Sequence, residues 1–350
     1  MTTLTERELF SQAEILPRIL ADIDGKKGEL SAFFASGRFK RILFAGCGTS
    51  YCISHSGAWL FRHIAGFDTE AVAAGDMLVQ FDRYAKSLDG ALVVFPSRSG
   101  QTSEAIRLAE LVKRNGASCR ILSLVGTADT PLAKLSDYAL EWPFMAETSV
   151  CQTRTITSIF AVFAALAGLV GNDESLYAEI KAKAGELAAF LPEADRRIRD
   201  FLKGRKFDGG LVLADAELYG LADAAAMGIK EISMKVANSY HLLDVRHGPM
   251  VAVNSGTLAF LAIPDAAPEL LNPLVADIKK RGASVVTVQG PRGAVKGGDL
   301  DVATPDCRHP AALGLFFFPV VQLAALRKAL ADGHNPDTPP SLSPWIALEG

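Results

Sequence analysis

The sequence predicts an α/β protein with two doubly wound parallel sheets in tandem, each covered by helices on both faces in a three-layer αβα arrangement. Strand-like and helix-like segments alternate from residue 40 onward, and this order requires helical crossovers between parallel strands. The length of 350 residues suits about two domains. Residues 90–126 also resemble residues 256–290, where "KRNGAS" is echoed by "KKRGAS". The alternative to a true repeat is a chance likeness between two strand–helix–strand units.

The elements of the first half follow one another in order. RILFAG ends as a strand at Gly46, and a helix follows Ser50. The strand ALVVF precedes an amphipathic helix over 103–115, whose apolar residues recur at three- and four-residue spacing, and SCRILSLVG is the next strand. In the second half a helix is predicted over 221–236.

These patterns divide the chain into four units. We expect an N-terminal helical segment, a first sheet domain, a linker helix near 185–205 followed by a second sheet domain, and a C-terminal tail, in that order: residues 1–39, 40–184, 185–330 and 331–350.

Composition narrows the class of protein. The net charge of −3 gives no reason to expect a nucleic acid or an acidic membrane surface as partner. The five scattered cysteines form neither a CxxC pair nor a zinc-like Cys/His cluster, and no motif indicates a cofactor or a metal. The N-terminus lacks the features of a signal peptide, and the apolar stretches 159–170 and 311–326 are too short to span a bilayer. We therefore expect two core helices in a soluble, cytoplasmic protein.

Hydroxyl side chains cluster where the strand ALVVF gives way to its helix. Ser97, Ser99, Thr102 and Ser103 surround Gly100 at this junction, where the first helical N–H groups lack partners and favour an anion. The alternative interpretation is an N-capped turn without a ligand.

A second loop supports the anion site. Gly46, Gly48, Thr49 and Ser50 follow the first strand, and loops at the carboxyl ends of parallel strands converge on one crevice. The pattern is neither the dinucleotide fingerprint nor a Walker loop. In the second half the corresponding loop carries Asp265 and no hydroxyls, so we expect an anion site in the first half alone.

Six motifs, in order, resemble the tandem two-domain members of the sugar isomerase (SIS) superfamily, which include the isomerase half of glucosamine-6-phosphate synthase. They are GCGTS (46–50), SRSGQT (97–102), ETSVCQTR (147–154), KEIS (230–233), RHGP (246–249) and NPDTPPSLS (335–343). The resemblance covers nearly the whole chain from about residue 40.

The resemblance implies roles for individual residues. Glu231 resembles the acid/base that moves a proton between the first two sugar carbons, and His247 the histidine that assists ring opening from the partner subunit of a homodimer. The implied binding residues for a sugar phosphate lie in the three motifs of the first half: Gly48, Thr49, Ser50, Ser97, Arg98, Ser99, Gln101, Thr102, Val150 and Gln152.

The residues around the two catalytic candidates also bear on their roles, independently of the resemblance. Glu231 lies among apolar residues on its predicted helix, which favours a partly buried carboxyl with a raised pKa. The alternatives are a surface pair between Glu231 and Lys235, and a solvent-facing loop position for His247.

Two positions depart from the synthase pattern. Gly228 and Pro344 stand where close relatives carry lysines, which puts imine chemistry in doubt. Because Thr2 follows Met1, no N-terminal amidotransferase domain is expected, and with it no glutamine-dependent synthesis.

The expected function is that of a phosphosugar isomerase or deaminase. It would act on a hexose or amino-hexose 6-phosphate by 1,2-proton transfer, with ammonia release from an amino sugar. The alternatives are a deglycase that cleaves an amino-acid adduct of a sugar phosphate, and a non-catalytic sugar-phosphate sensor.

Overall fold

The computed structural model describes residues 2–115, 118–264 and 267–348 of the chain. Gly116 of the repeat and Asp265 of the second-half loop lie outside the described residues. The described residues form ten strands: β1 (Arg41–Gly46), β2 (Asp68–Ala73), β3 (Ala91–Ser97), β4 (Arg120–Val125), β5 (Tyr138–Glu141), β6 (Gly209–Leu213), β7 (Val236–Tyr240), β8 (Thr257–Ile263), β9 (Ser284–Gln289) and β10 (Leu300–Ala303).

Thirteen α-helices accompany these strands within the same described residues. They are α1 (Leu4–Phe10), α2 (Gln12–Gly25), α3 (Lys27–Gly37), α4 (Thr49–His63), α5 (Ala74–Val79), α6 (Phe81–Tyr84), α7 (Ser103–Asn115), α8 (Pro131–Leu135), α9 (Arg154–Val170), α10 (Glu174–Leu202), α11 (Tyr219–Ser233), α12 (Pro268–Lys280) and α13 (Pro310–Ala331).

Two five-stranded sheets share one topology. The first has the order β2-β1-β3-β4-β5 and the second β7-β6-β8-β9-β10, and every pairing is parallel. Numbered from its own first strand, each sheet has the order 2-1-3-4-5, a doubly wound arrangement. The unit β3–α7–β4 occupies the same place in the first sheet as β8–α12–β9 in the second. The predicted fold class is therefore confirmed.

The boundaries differ from the predictions in several places. β3 continues through Pro96 to Ser97, so the hydroxyl-rich loop begins at the end of the strand itself. Strands β2, β5, β7 and β10 were not predicted; all four are edge strands, and β2 exposes Asp68 and Glu70. Helix α11 ends at Ser233 rather than 236, because Met234 adopts a left-handed conformation with φ of 54°. Helix α10 runs through the predicted domain boundary at residues 184 and 185.

The core lies where helices of the two halves meet. Helices α4, α9, α11 and α13 pack on one another, and their buried side chains belong to one hydrophobic cluster that spans both halves. The stretch 311–326 is part of the 22-residue helix α13, so the prediction that it is too short to span a bilayer was wrong: by length and composition α13 is sufficient. However, 89% of its apolar window is buried inside the protein. Both apolar stretches of the sequence are thus core helices, as expected.

The N-terminal helices dock on this core. Helix α2 packs against α9 and α10, and α1 against α13. This docking brings α1 next to the segment that connects β5 to α9, and that placement matters for the site.

Candidate functional site

A cavity of about 180 Å³ lies at the carboxyl ends of β1 and β3. Both strands are buried almost throughout, so the loops that follow them are held at one edge of the sheet. Four parts of the chain line the cavity: the 46–50 loop, the 96–102 loop, the segment before α9 and the C-terminal tail. Ala105 of α7 and Glu231 of α11 complete the lining.

The loop after β3 presents its hydroxyls to the cavity. The Ser97 hydroxyl oxygen accepts the Gly100 N–H at 2.9 Å, and the Ser99 oxygen accepts the Gln101 N–H at 3.1 Å. Because both oxygens act as acceptors here, each O–H proton can still be donated to an anion. Capping and anion binding are therefore compatible. Gln101 is exposed and does not line the cavity, unlike the other predicted residues of this loop.

Glycine is required at Gly100 on two grounds. Its φ is 62°, which favours glycine, and an added Cβ would lie 2.3 Å from the Thr130 hydroxyl oxygen. The turn that places the hydroxyls thus depends on this residue.

The loop after β1 supplies the opposite wall. Gly48 precedes α4 with a φ of 53°, and Thr49 and Ser50 are buried at the start of that helix, where the positive end of the helix dipole favours an anion. Cys47 also lines the cavity. Burial, and then the nearby Glu104 carboxylate, raise the pKa of Cys47 to about 12, so its thiol is neutral at physiological pH.

Arg98 is bound to protein groups. Its buried guanidinium donates to the carbonyls of Ser149, Val150 and Pro344 at 3.2, 2.8 and 2.5 Å, and lies 4.0 Å from the Glu147 carboxylate. It therefore joins the loop after β3 to two other walls of the cavity. Its predicted role as a substrate ligand stays a prediction.

The segment before α9 places two predicted residues at the cavity. Val150 and Gln152 both line it. The Gln152 side-chain oxygen is buried and has no hydrogen-bond partner among the described residues. A buried acceptor of this kind is suited to a ligand hydroxyl or amine.

Glu231 faces the cavity from α11. Burial raises the pKa of its carboxyl to about 6, while the charges of Arg98 and Lys230 oppose the shift. A carboxyl with this pKa can accept and return a proton near neutrality. The alternative pair with Lys235 does not form, since Lys235 binds Asp332 at 3.0 Å.

His247 lies elsewhere on the surface. It is exposed, follows a short 3-10 turn, and does not line the cavity of its own chain. Its prediction as a partner-subunit contribution is therefore left to experiment.

The two departures from the synthase pattern have structural consequences. Apart from its two chain neighbours and the backbone of α11, no atom lies within 4 Å of the point where a Cβ on Gly228 would be, so the helix face one turn before Glu231 is open. Pro344 lines the cavity together with four other tail residues, Leu342, Ser343, Trp345 and Ile346, which were not predicted as site residues. Leu342 and Ser343 end the NPDTPPSLS motif, and Trp345 and Ile346 lie beyond it.

The tail is attached at the N-terminus of α7. The Ser103 N–H donates to the Ile346 carbonyl at 3.2 Å, and the Ser103 hydroxyl accepts the Leu348 N–H at 3.0 Å. Within the described part of the chain, no three His, Cys, Asp or Glu side chains cluster as metal ligands.

Comparison with known proteins agrees with this geometry. Residues 38–169 match the family model described as the SIS domain. The chain is 25% identical over 363 residues to a glutamine–fructose-6-phosphate aminotransferase (isomerizing) of Thermococcus kodakarensis, and 26% identical over 367 residues to that of Aeropyrum pernix. Each alignment covers 98% of this chain but only 58% and 57% of the relative. The chain thus spans a little over half the length of these curated relatives.

Two solved structures share the fold across the whole chain. Glucosamine-6-phosphate deaminase from Thermotoga maritima matches with a TM-score of 0.81 at 22% identity, covering 99% of this chain and 100% of that one. Tagatose-6-phosphate ketose/aldose isomerase from Escherichia coli matches with a TM-score of 0.82 at 24% identity, covering 98% of both chains. The chain therefore contains a SIS domain over residues 38–169, within a two-sheet fold that it shares with these phosphosugar enzymes.

Proposed function

We propose that the cavity binds the open-chain form of a hexose or amino-hexose 6-phosphate, and that Glu231 moves a proton between C1 and C2. One observation carries the proposal: a half-buried carboxyl with a pKa of about 6 faces the same cavity as two hydroxyl-rich loops at helix N-termini. The phosphate would bind the Ser97, Ser99 and Thr49 side, where O–H donors and helix dipoles converge. The reacting carbons would then lie toward Glu231.

The chemistry follows from that orientation. Glu231 as carboxylate takes the proton from C2 of the aldose, the C1 carbonyl oxygen gains a proton, and an enediol forms. Glu231 as carboxylic acid then returns the proton to C1, while the C2 hydroxyl loses its proton and becomes the ketone. With an amino group at C2 the same transfer gives a C2 imine, and water hydrolyses it to the ketose and ammonia.

The substrate's C2 substituent would meet Gln152. Its unpartnered oxygen accepts a hydrogen bond from a hydroxyl or an amine equally well, so it supports both isomerase and deaminase activity. We further propose a homodimer in which the partner subunit's copy of the exposed RHGP loop reaches this cavity and its histidine assists ring opening.

The alternative is a deglycase that cleaves an amino-acid adduct of a sugar phosphate. Gly228 has open space at its Cβ position and lies three residues before Glu231, but it does not line the cavity, so the choice between the two activities rests on the substrate panel below. The curated relatives are glutamine–fructose-6-phosphate aminotransferases, which suggests glutamine as a nitrogen donor, and the same experiment can include it.

The test is a panel of substrates. The panel contains hexose 6-phosphates, 2-amino-hexose 6-phosphates and amino-acid adducts of hexose 6-phosphates, each supplied with and without glutamine. The assays measure ketose formation, ammonia release and amino-acid release. We expect turnover of one phosphorylated class and none of its unphosphorylated counterpart. Tight binding of a phosphosugar without any turnover would instead identify a sensor.

A further inference from the structure

The segment 147–152 lines the cavity without a helix or strand of its own. It carries Val150 and Gln152 and runs as a series of bends until α9 begins at Arg154. Such a segment keeps its side chains in place only through contacts with neighbouring elements. These contacts come from α1, from Arg98, from the start of the tail and from the start of α9, where Thr153 and Thr155 donate to the Glu147 carboxylate.

Glu8 of α1 binds the amide groups of this segment. Its side chain is buried, and its carboxylate accepts the backbone N–H groups of Thr148 and Ser149 and the Ser149 hydroxyl. The Ser149 nitrogen lies 3.2 Å from Glu8 Oε2. Hydrogen bonds to a charged acceptor are stronger than neutral ones, so three donors on one buried carboxylate form a firm anchor.

Arg98 binds the same segment through its carbonyl groups. It donates to Ser149 and Val150, at 3.2 and 2.8 Å. Ser149 is therefore held at its N–H by a carboxylate and at its carbonyl by a guanidinium. The two side chains come from α1 and from the loop after β3, and together they fix the segment between them.

Helix α1 is itself fixed by the start of the tail. The Asp337 carboxylate accepts the N–H groups of Leu4 and Thr5 at 2.9 and 2.8 Å, together with the Thr5 hydroxyl at 2.8 Å. The Asp337 carbonyl accepts the Val150 N–H at 3.0 Å. The first turn of α1 is thus capped by a residue that also holds the segment, which leaves Glu8 in a defined position.

We infer that Glu8 is a positioning residue of the cavity: through Thr148 and Ser149 it determines where Val150 and Gln152 stand relative to the hydroxyl-rich loops. Glu8 does not line the cavity, so it acts through the segment alone. The N-terminal helical segment is then part of the construction of the site. The kinetic consequence rests on the proposed function, whereas the anchoring does not.

Amide hydrogen exchange tests the anchoring directly. In Glu8→Gln the side chain keeps its size, but its NH₂ group faces N–H and O–H donors, so at least one donor loses its acceptor. We expect the Thr148 and Ser149 amides to exchange about tenfold faster or more. Glu14→Gln is the matched control, because Glu14 is exposed and its carboxylate pairs, among the described residues, with Arg18 alone, at 2.9 Å. Equal exchange in Glu8→Gln and wild type would overturn the inference.

Steady-state kinetics test the positioning. We expect Glu8→Gln to raise KM for the phosphosugar about tenfold while kcat changes less than about twofold, because Glu231 stands on a different element. General loss of folded enzyme would instead lower kcat and leave KM unchanged. A wild-type KM together with faster exchange would also overturn the inference.

Two further results distinguish a failure of the proposed function from a failure of the anchoring by Glu8. Faster exchange in Glu8→Gln, combined with a wild type that turns over no phosphosugar, would remove the proposed function and leave the anchor in place. If Glu8→Gln does not fold, Ser149→Ala removes the hydroxyl donor to Glu8, together with the 3.1 Å contact of that hydroxyl to the Cys151 carbonyl, and leaves α1 unchanged. It should shift both readouts in the same direction by a smaller factor, and no shift in either would overturn the inference.

Discussion

The guanidinium of Arg98 donates a hydrogen bond of 2.5 Å to the backbone carbonyl of Pro344 and so ties the loop after β3 to the C-terminal tail. Since the same group holds Ser149 and Val150, one buried side chain connects three walls of the cavity. The tail beyond Pro344 is half-exposed, and Trp345 forms part of the cavity wall. The tail's position over the site therefore depends on few contacts, one of which is the partly buried hydrogen bond from Arg98.

We predict that Arg98→Lys loosens the tail and lowers kcat/KM about tenfold or more. A lysine ammonium is a single point donor and cannot reproduce a fixed fork that reaches three carbonyls. The emission of Trp345 should shift to the red as the tail opens, and repeating the measurement with Trp345→Phe assigns the signal. Arg107→Lys is the control, because Arg107 donates to the tail at Leu348 on the surface and at 3.3 Å. If kcat/KM of Arg98→Lys equals that of the control, closure of the tail contributes nothing to turnover.

We predict that Ser99→Ala raises KM for the phosphosugar about tenfold or more, in line with the loss of ~1.5 kcal/mol from one hydrogen bond to a charged group. The Gln101 N–H also loses its acceptor, so the thermal midpoint is measured alongside KM. Ser136→Ala serves as the control: its hydroxyl donates to the Leu132 carbonyl at 2.9 Å and does not line the cavity. Equal changes in KM for both variants would remove Ser99 from the phosphate site.

The fold could be predicted from sequence because buried parallel strands leave a strong local pattern. β1 and β3 are continuous apolar runs that end at glycine and hydroxyl residues, and their positions were predicted nearly to the residue. β2 and β5 were not predicted, because each is an edge strand that is covered only in part and its alternation of apolar and polar residues is weak. Met234 ends α11 by a backbone conformation that its side chain does not signal.

Much of the candidate site could be predicted as well, but its assembly could not. Hydroxyl and glycine residues at strand ends predict an anion site, and the apolar residues around Glu231 on its helix predict that its carboxyl is buried. The sequence does not indicate that Arg98 would bind carbonyls from segments 51 to 246 residues away. Nor does it bring Glu8 into the site, since that contact depends on how α1 docks in three dimensions.

The exposed position of His247 leads to a complementation prediction. If the histidine serves the neighbouring subunit, Glu231→Gln and His247→Ala subunits should be inactive alone and regain part of the activity when mixed, because each heterodimer holds one intact site. Sedimentation or native mass spectrometry must first confirm that subunits exchange. Failure to recover activity after confirmed exchange would mean that each site is completed within one chain.

The open face at Gly228 predicts that a lysine is tolerated there. Gly228→Lys removes a glycine from the interior of α11 and meets no neighbouring atom, so we expect a gain of about 0.5–1 kcal/mol in the free energy of unfolding. The added cation lies one turn from Glu231 and should lower its pKa, which moves the acid limb of the pH–rate profile to lower pH. Gly228→Gln, which adds bulk without charge, should leave that limb unchanged. A destabilised Gly228→Lys protein would show that the face is covered in the assembled enzyme.

Glu231 carries the proposed chemistry, and Glu231→Gln tests it. Glutamine keeps the shape but cannot take a proton, so we expect kcat to fall about a hundredfold or more while phosphosugar binding is retained. Solvent deuterium should enter C1 or C2 of the sugar with the wild type and not with the variant. In the wild type, kcat/KM should fall as the pH drops through about 6, where the carboxylate becomes protonated.

Stability should respond in the opposite direction to activity. Burial raises the pKa of Glu231 from 4.5 to about 6, so the folded protein holds this proton more tightly than the unfolded chain does. Between these two values, stability contributed by the protonated carboxyl is lost as the pH rises, and above about 6 the buried charge costs up to about 2 kcal/mol.

Glu231→Gln removes this cost, so the variant should be more stable than the wild type at pH 8, and its advantage should disappear below pH 4.5. Denaturant unfolding at both pH values measures the difference. A variant that is less stable than the wild type at pH 8 would show that the Glu231 carboxylate is held by favourable contacts, and its pKa would then be too low for the proposed acid/base role.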